Sequence, residues 1–450
     1  MAKASFLSGI KISRSVDRST APSTITGNAA GSGWWQGGQW FDVITDGLPD
    51  LTEHREIIYP QGHAGKRFMN AQQAVVGRIW SEGGFSAPVT GDFLGLLLYS
   101  ALGEASTNLL GLPASLIGTP ASAAEPINVS PKSLVLQNQP TEGGKFLRFE
   151  LKGTGDSGTI AISGIDVYGN GASETISFSR VANGVLLYSK TAFSSIGASG
   201  ITVTGLSAAS LTLQAIDQFQ HTFRPASGSS GITLSIERIG APEAGAASKS
   251  FMHVGMVPTE LTLNTPAKAN DGIFTIDTKF VGDPTATCNS TAINSSSPMR
   301  IWPAWTALVR RDGGTAWNTV TDLSIKIETG NKNVMTGTGA QGPQSTLYAG
   351  FGVTGGIKFL VDNEVEYNKW AGASVTPLHI RWNTPWKMSS ANNLELNASL
   401  LVNLENFSKS DSDGAQELSF DMTSIEDAGI GGTGGGVPVQ FLLKNSVPNY

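Results

Sequence analysis

Between His221 and Gly282, three segments alternate apolar and polar residues, each bounded by Gly, Pro, Ser or Asn. Period-two alternation puts successive side chains on opposite sides of an extended backbone, so this stretch predicts half-buried antiparallel strands. In the first segment Ile232, Leu234 and Ile236 face one way, and Thr233, Ser235 and Glu237 the other. In the last, Phe274, Ile276, Thr278 and Phe280 alternate with Thr275, Asp277, Lys279 and Val281. The ladder carries almost no reactive chemistry and reads as scaffold.

Composition points the same way. Only 15% of the 450 residues are charged and 54 are Gly, a bias toward a turn-rich, all-β chain long enough for two or three domains. The formal net charge of −6 excludes a basic nucleic-acid binder as a class. A single cysteine, Cys288, rules out an internal disulfide and a cysteine-based metal site within one chain, and fits a reducing cytoplasm. The opening MAKASFLSGIKISRSVDRST lacks the apolar core of a signal peptide, and no run reaches the apolar length of a membrane span, so neither is expected.

Residues 1–40 are polar and end in GSGWWQGGQW, an arm whose Trp34, Trp35 and Trp40 suggest docking, either onto a partner or onto the chain's own domain. Ala74, Val76, Ile79 and Trp80 predict a strand carrying a bend. PVTGDFLGLLLYSALG predicts a helix with Thr90 as N-cap, Asp92 in the first turn and Gly103 at its end. Its broad apolar face (Leu94, Leu97, Leu98, Ala101, Leu102) should pack on a sheet. Residues 109–125 read as a low-charge linker. From 126 to 215, six or seven short strands at regular spacing suggest an immunoglobulin-like β-sandwich without the cysteine pair. That segment holds six basic and five acidic residues, a near-neutral module inserted between the halves of a more acidic domain, 41–125 and 216–450. Further strands are predicted at DLSIKIE, GGIKFLVD, LELNASLLVNLENF, ELSFDMTSIED and VPVQFLLKN.

Signals for reactive chemistry are weak. GHAGKR at 62–67 has the wrong spacing for a phosphate loop, and SDSDGAQE at 410–417 lacks the ligand register of a calcium loop. The histidines His54, His63, His221, His253 and His379 show no metal-ligand spacing and read as structural. The sequons at Asn128, Asn289, Asn294 and Asn397 mean little without a secretion signal. Trp302, Trp305, Trp317, Trp370, Trp382 and Trp386 are dispersed, which favours core or interface over a sugar platform. No cofactor motif is present.

In their order along the chain, these segments resemble the major tail tube protein family of long-tailed, non-contractile (siphovirus-type) bacteriophages. The resemblance rests on IIYPQGHAGKRFMNAQQAVVGRIWSEG with GDFLGLLLYSALG, then HTFRP, SGITLSIERIG, MHVGMVPTELTLN with GIFTIDTKFVG, and DLSIKIETGNKN with GIKFLVDN. It implies a mainly β fold: a barrel-forming β-sandwich core with one packed α-helix, plus the inserted sandwich, internal here where the family more often carries it at the C-terminus. It further implies hexameric rings stacked around a tape-measure protein, joined to tail terminator and distal tail proteins, passing viral DNA without specific binding. Such a protein is made in the host cytoplasm, resides in the virion tail, inserts into no membrane and is not an enzyme. An acidic lumen would repel DNA; Asp277, Glu328 and Asp421, on polar strand faces, are the lumen-facing candidates, and Trp34, Trp35 and Trp40 the ring-to-ring candidates. The alternative from the binding class is a carbohydrate- or receptor-binding decoration protein.

Overall fold

The computed structural model describes residues 10–14, 34–35, 40–58 except 48, 75–110, 114–117, 125–127, 131–140, 144–152, 157–178, 185–205, 209–226, 232–239, 249–266, 272–335 except 285, 290–299 and 313, 342–347 except 344, 350–361, 364–387, 393–412, 415–431 and 436–450 except 449. Residues 62–67 with His63, most of the N-terminal arm, Asp413 with Gly414, and most of the glycine-rich segment before Val437 lie outside the described residues.

Alternation in the sequence becomes strand nearly everywhere. The first run is β1 (Ile10–Arg14), β2 (Trp34–Trp35), β3 (Trp40–Val43), β4 (Asp50–Ile58), β5 (Val75–Pro88), helix α1 (Gly91–Leu102) and β6 (Gly103–Leu110). The middle run is β7 (Ala114–Ser115), β8 (Glu125–Ile127), β9 (Lys132–Ser133), β10 (Phe146–Lys152), β11 (Gly158–Asp166), β12 (Gly171–Phe178), β13 (Val185–Tyr188), β14 (Phe193–Thr204) and β15 (Ala209–Ile216). The last run begins with β16 (Gln218–Pro225), β17 (Leu234–Ile239), β18 (Lys249–Pro266), β19 (Thr275–Gly282), β20 (Ala286–Asn289), β21 (Ala307–Arg311), β22 (Thr315–Ala316) and β23 (Val320–Glu328). It continues with β24 (Lys332–Val334), β25 (Ser345–Leu347), β26 (Gly352–Leu360), α2 (Val365–Ala371), β27 (Thr376–Lys387), β28 (Asn393–Ser412), β29 (Ala415–Ile425), α3 (Ala428–Gly431) and β30 (Val439–Asn445).

Strands β1, β3–β6, β16–β23 and β26–β30 join in one 18-stranded network. Within it, eight strands lie side by side, all antiparallel, in the order β4-β5-β19-β18-β23-β26-β29-β28. One face of this sheet is core: Leu51, Phe85, Ile276, Phe280, Leu261, Leu263, Ile325, Ile327, Ile357, Phe359 and Phe420 are all buried.

Helix α1 spans the residues its pattern predicts. Gly103 ends it at φ 84°, with its N–H donating to Tyr99 O, a left-handed position that suits glycine. Thr90 occupies the N-cap position in extended geometry, but its hydroxyl makes no cap hydrogen bond. The expected apolar face is nearly the whole circumference, since even Ser100 is buried. The helix packs against β1, β3, β6, β16, β18 and β30. Gly95 makes room for the Tyr450 ring, because a Cβ there would lie 2.3 Å from it. Asn445 Nδ2 and Tyr450 OH donate to Gly91 O at 2.7 and 3.2 Å, tying the C-terminal residues to the first turn of the helix.

The ladder that constrained the fold is β17–β18–β19. Its last segment behaves as expected, but β17 is not half-buried. Ser235 and Glu237 are as inaccessible as Leu234 and Ile236. β17 lies between β1 and β18, and Lys11 stands directly opposite Glu237 across the β1 pair. The buried carboxylate therefore has a cation in register. Residues 10–14, assigned to the arm by composition, form a strand of the large network, with Ile10 and Ile12 in its core.

The middle run forms two further sheets, β2-β13-β10-β15-β7 with β8 on β15, and β12-β11-β14-β9. Leu147, Phe149, Leu151, Leu211 and Leu213 of the first meet Ile160, Ile162, Ile176 and Val203 of the second in a separate cluster. The segment 109–125 is more than a linker: Ala114–Ser115 pairs with β15, and Leu116 and Ile117 are buried in that cluster. The internal pairs β10–β13 and β11–β14 match those expected of an immunoglobulin sandwich, but the terminal strands have exchanged sheets. The last strand β15 pairs with β10, and the first strand β9 with β14, whereas immunoglobulin order puts the first strand beside the second and the last beside the sixth. Only Asp217 separates β15 from β16, and β16 with β6 forms an antiparallel stem from Gly103↔Pro225 to Leu110↔Gln218. The sandwich sits at the tip of this stem, and Phe146, Tyr188, Ala192 and Ile216 point back into the main core, where Tyr188 meets Phe219 edge-on at 5.3 Å.

Candidate functional site

The feature that could act on something outside the chain is the other face of the eight-stranded sheet. Cross-strand pairs share a face, so the register defines it. Asp50 and Glu82 lie on the first hairpin, and Asp277 and Glu260 on the second, with Thr262 opposite Asp277. Asp322 and Glu328 follow on β23, across from Lys358 and Gly352 of β26. Asp421, Glu417 and Glu405 complete it on β29 and β28. The expected lumen candidates Asp277, Glu328 and Asp421, far apart in sequence, thus stand on one face.

Nine carboxylates share this face with three lysines, Lys279, Lys326 and Lys358. Each lysine is engaged. Lys279 and Lys326 both reach Glu260 at 3.2 Å, Lys326 also reaches Glu328 at 2.6 Å, and Lys358 lies 3.7 Å from Asp322. Burial alone would raise the pKa of Glu260, but the hydrogen bonds from Lys279 and Lys326 outweigh it and hold the carboxyl below its ordinary range. The hydrogen bond to Glu328 raises Lys326 in turn. Exposed pairs of this kind contribute little to stability, roughly 0–1 kcal/mol each. Their consequence is electrostatic: the lysine charges are held by neighbouring carboxylates, and the surplus is negative. Asp277 accepts from Asn264 Nδ2 at 2.6 Å, and Asp421 from Asn406 Nδ2 at 2.8 Å. Asn406 has a φ of 47° and lies within the β28 bulge, which aims its amide at Asp421. Among the described residues this face carries no unengaged lysine, with the exposed Arg78 at the β5 end as a further cation, and its negative surplus repels a polyanion.

The tryptophan candidates separate. The Trp34–Trp35 backbone pairs with Tyr188 and Leu187 of β13 at the edge of the small sandwich. Trp40 is 5% exposed on β3 and belongs to the chain's own interior. Trp302, Trp317 and Trp382 are core residues, and Trp370 packs on Phe407 and Phe420. Trp305 and Trp386 are exposed.

Among the described residues, two histidines are buried. His221 Nε2 donates to Asn445 Oδ1 and Val447 O at 3.0 and 2.8 Å, and Nδ1 accepts from Thr107 Oγ1 at 2.8 Å; the two carbonyl acceptors place the ring proton on Nε2. Burial lowers its pKa to about 4. His253 is lowered to about 4 by burial and by the nearby charge of Arg238.

Compared with known proteins, residues 19–433 match the family model described as phage tail tube protein. No curated protein matches the chain.

Proposed function

The chain belongs to the phage tail tube protein family and is a structural component of the virion tail; from that premise we propose that it assembles into rings that stack as the tube of a siphovirus-type tail, a conduit for genome delivery. The observation that supports this reading most is the eight-stranded sheet, apolar on one face, acidic with engaged lysines on the other, and open at its two ends among the described residues, along β4 and along β28 beyond Val402. Open edges of this kind invite strand addition. Heterologous addition with rotation closes a ring whose strands form one barrel, and a second contact along the axis extends it. The acidic face lines the lumen, and Asp277, Glu328 and Asp421 keep DNA moving by repulsion.

A ring of six tube units stacks around a tape-measure protein and ends at terminator and distal tail proteins. The 126–215 segment, an immunoglobulin-like module in this reading, projects outward, and the edge strand with Trp34 and Trp35 takes part in contact between rings. The test is a charge reversal of the sheet face, Asp277→Lys, Glu328→Lys and Asp421→Lys together. Tubes should still form under the electron microscope, while they retain DNA and the phage loses infectivity in a salt-dependent way. Normal genome delivery by such tubes overturns the lumen assignment, and a chain that stays monomeric at high concentration overturns the tube.

A further inference from the structure

Two halves of the large network carry the same sequence of elements. The first half reads β1, β3, β4, β5, α1, β17, β18, β19; the second reads β21, β22, β23, β26, α2, β27, β28, β29. Pairings correspond one to one. The first half is linked as β3–β1–β17–β18–β19–β5–β4, and the second as β22–β21–β27–β28–β29–β26–β23. Every one of these pairs is antiparallel. The strand that follows each half adds in the same place: β20 to the start of β18 and β30 to the start of β28.

An independent detail fixes the equivalence to the residue. Gly83–Gly84 on β5 and Gly355–Gly356 on β26 occupy the same point in the two halves. A Cβ on Gly83 would lie 1.6 Å from Asp50 O, and one on Gly355 2.2 Å from Ser324 O. Asp50 and Ser324 are themselves equivalent, each standing opposite the second glycine of its pair. Buried residues follow at the next two alternate positions, Phe85 and Ala87 in one half, Ile357 and Phe359 in the other. What differs is insertion: the stem and small sandwich fill the interval between α1 and β17, which in the second half is only Gly372–Val375.

The halves meet at β18–β23, where Thr262 opposes Lys326 and Leu263 opposes Ile325. The equivalents of β18 and β23 are β28 and β4. Among the described residues, β4 pairs only with β5, and β28 beyond Val402 pairs only with β29. We propose that the chain is a tandem duplicate of one tube unit, and that β28 of one copy adds to β4 of a second copy in the register by which β18 adds to β23 within the chain. Transferring that register places Ser408 opposite Thr52 of the next copy. Each chain then supplies two consecutive units, so the six-unit ring of the preceding section, on which this count rests, holds three chains.

Cysteines introduced at Thr52 and Ser408, in a Cys288→Ser background, test the edge. Both sites are exposed in the isolated chain, so folding should survive, and directly opposed residues of an antiparallel pair lie about 4.5–5.5 Å apart. A bifunctional thiol reagent applied to assembled tubes should give a ladder that ends at a closed species of three 47.0 kDa chains, and cryo-electron microscopy should show three chains per ring with near six-fold symmetry. Tubes with six chains per ring, or tubes in which this pair does not cross-link, overturn the duplication and leave the tube reading standing. Failure to form rings at all overturns both.

Discussion

Helices α1 and α2 hold the same place in their halves, between two hairpins, yet live in different surroundings. Helix α1 has twelve residues and is enclosed by strands of six different elements and by Tyr450. Helix α2 has seven, with Val365 and Tyr367 exposed; Trp370 packs on Phe407 and Phe420, and Tyr367 meets Phe407 edge-on at 5.5 Å. The first half has been built over, by the β6–β16 stem, the small sandwich and the C-terminal strand, and the second left bare. Two copies of one topology can therefore differ in stability and in what they tolerate, because burial is set by what covers an element as well as by the element itself.

The largest expected contrast is at the glycine pairs. Gly84→Ala would put a Cβ 1.8 Å from Thr278 O, a backbone atom, whereas the equivalent Gly356→Ala meets nothing nearer than Ser324 Oγ at 3.5 Å. The first should prevent folding or lower the melting temperature steeply, and the second should leave it nearly unchanged; equal effects break the comparison. Next is helix packing. Leu97→Ala, at a fully buried site, should cost about 3 kcal/mol in urea unfolding. Tyr367→Ala on α2, 42% exposed, should cost less than half as much.

Acid should find the first half before the second. His221 packs beside α1 against Tyr450, and its pKa is held near 4 by burial, below the 6.5 of an unfolded chain. The unfolded state therefore takes up a proton that the folded state refuses. The stability involved is fully present above pH 6.5 and is lost as pH falls toward 4, about 3 kcal/mol in all. His221→Gln should make the dependence of unfolding free energy on pH shallower over that window, with His253, also lowered to about 4, keeping its own share; an unchanged slope argues against the buried neutral ring. The smallest effect belongs to the sheet face: Lys326→Met should change stability by about 1 kcal/mol or less while making the face still more acidic, which gel retardation of added DNA would register as no gain in binding.

Strand content, the helix from Gly91 to Leu102 and the buried sets on β19, β23, β26 and β29 were legible because each depends on side-chain period and on local capping residues. The acidic candidates were legible only as members of polar faces; that Asp277, Glu328 and Asp421 share one face depends on long-range register, which no local pattern encodes. The duplication was harder still to see. Its two halves keep a glycine pair and an alternation of buried residues, but loops and insertions of different length separate the rest. Trp34, Trp35 and Trp40 look alike in a polar, glycine-rich arm, and pairing partners far along the chain separate them: β13 for the first two and β1 for the third.

By itself, then, the sequence determined the local menu: extended backbone where apolar and polar residues alternate, one long apolar helix, turns at glycine and proline, and a surplus of acid without reactive chemistry. Tertiary structure decided which strands stand side by side, and so which charges share a face, which half is covered and which edges stay open. The physical reason is that a strand's side-chain period fixes only its own two faces, while its neighbours are chosen by register and burial over the whole chain.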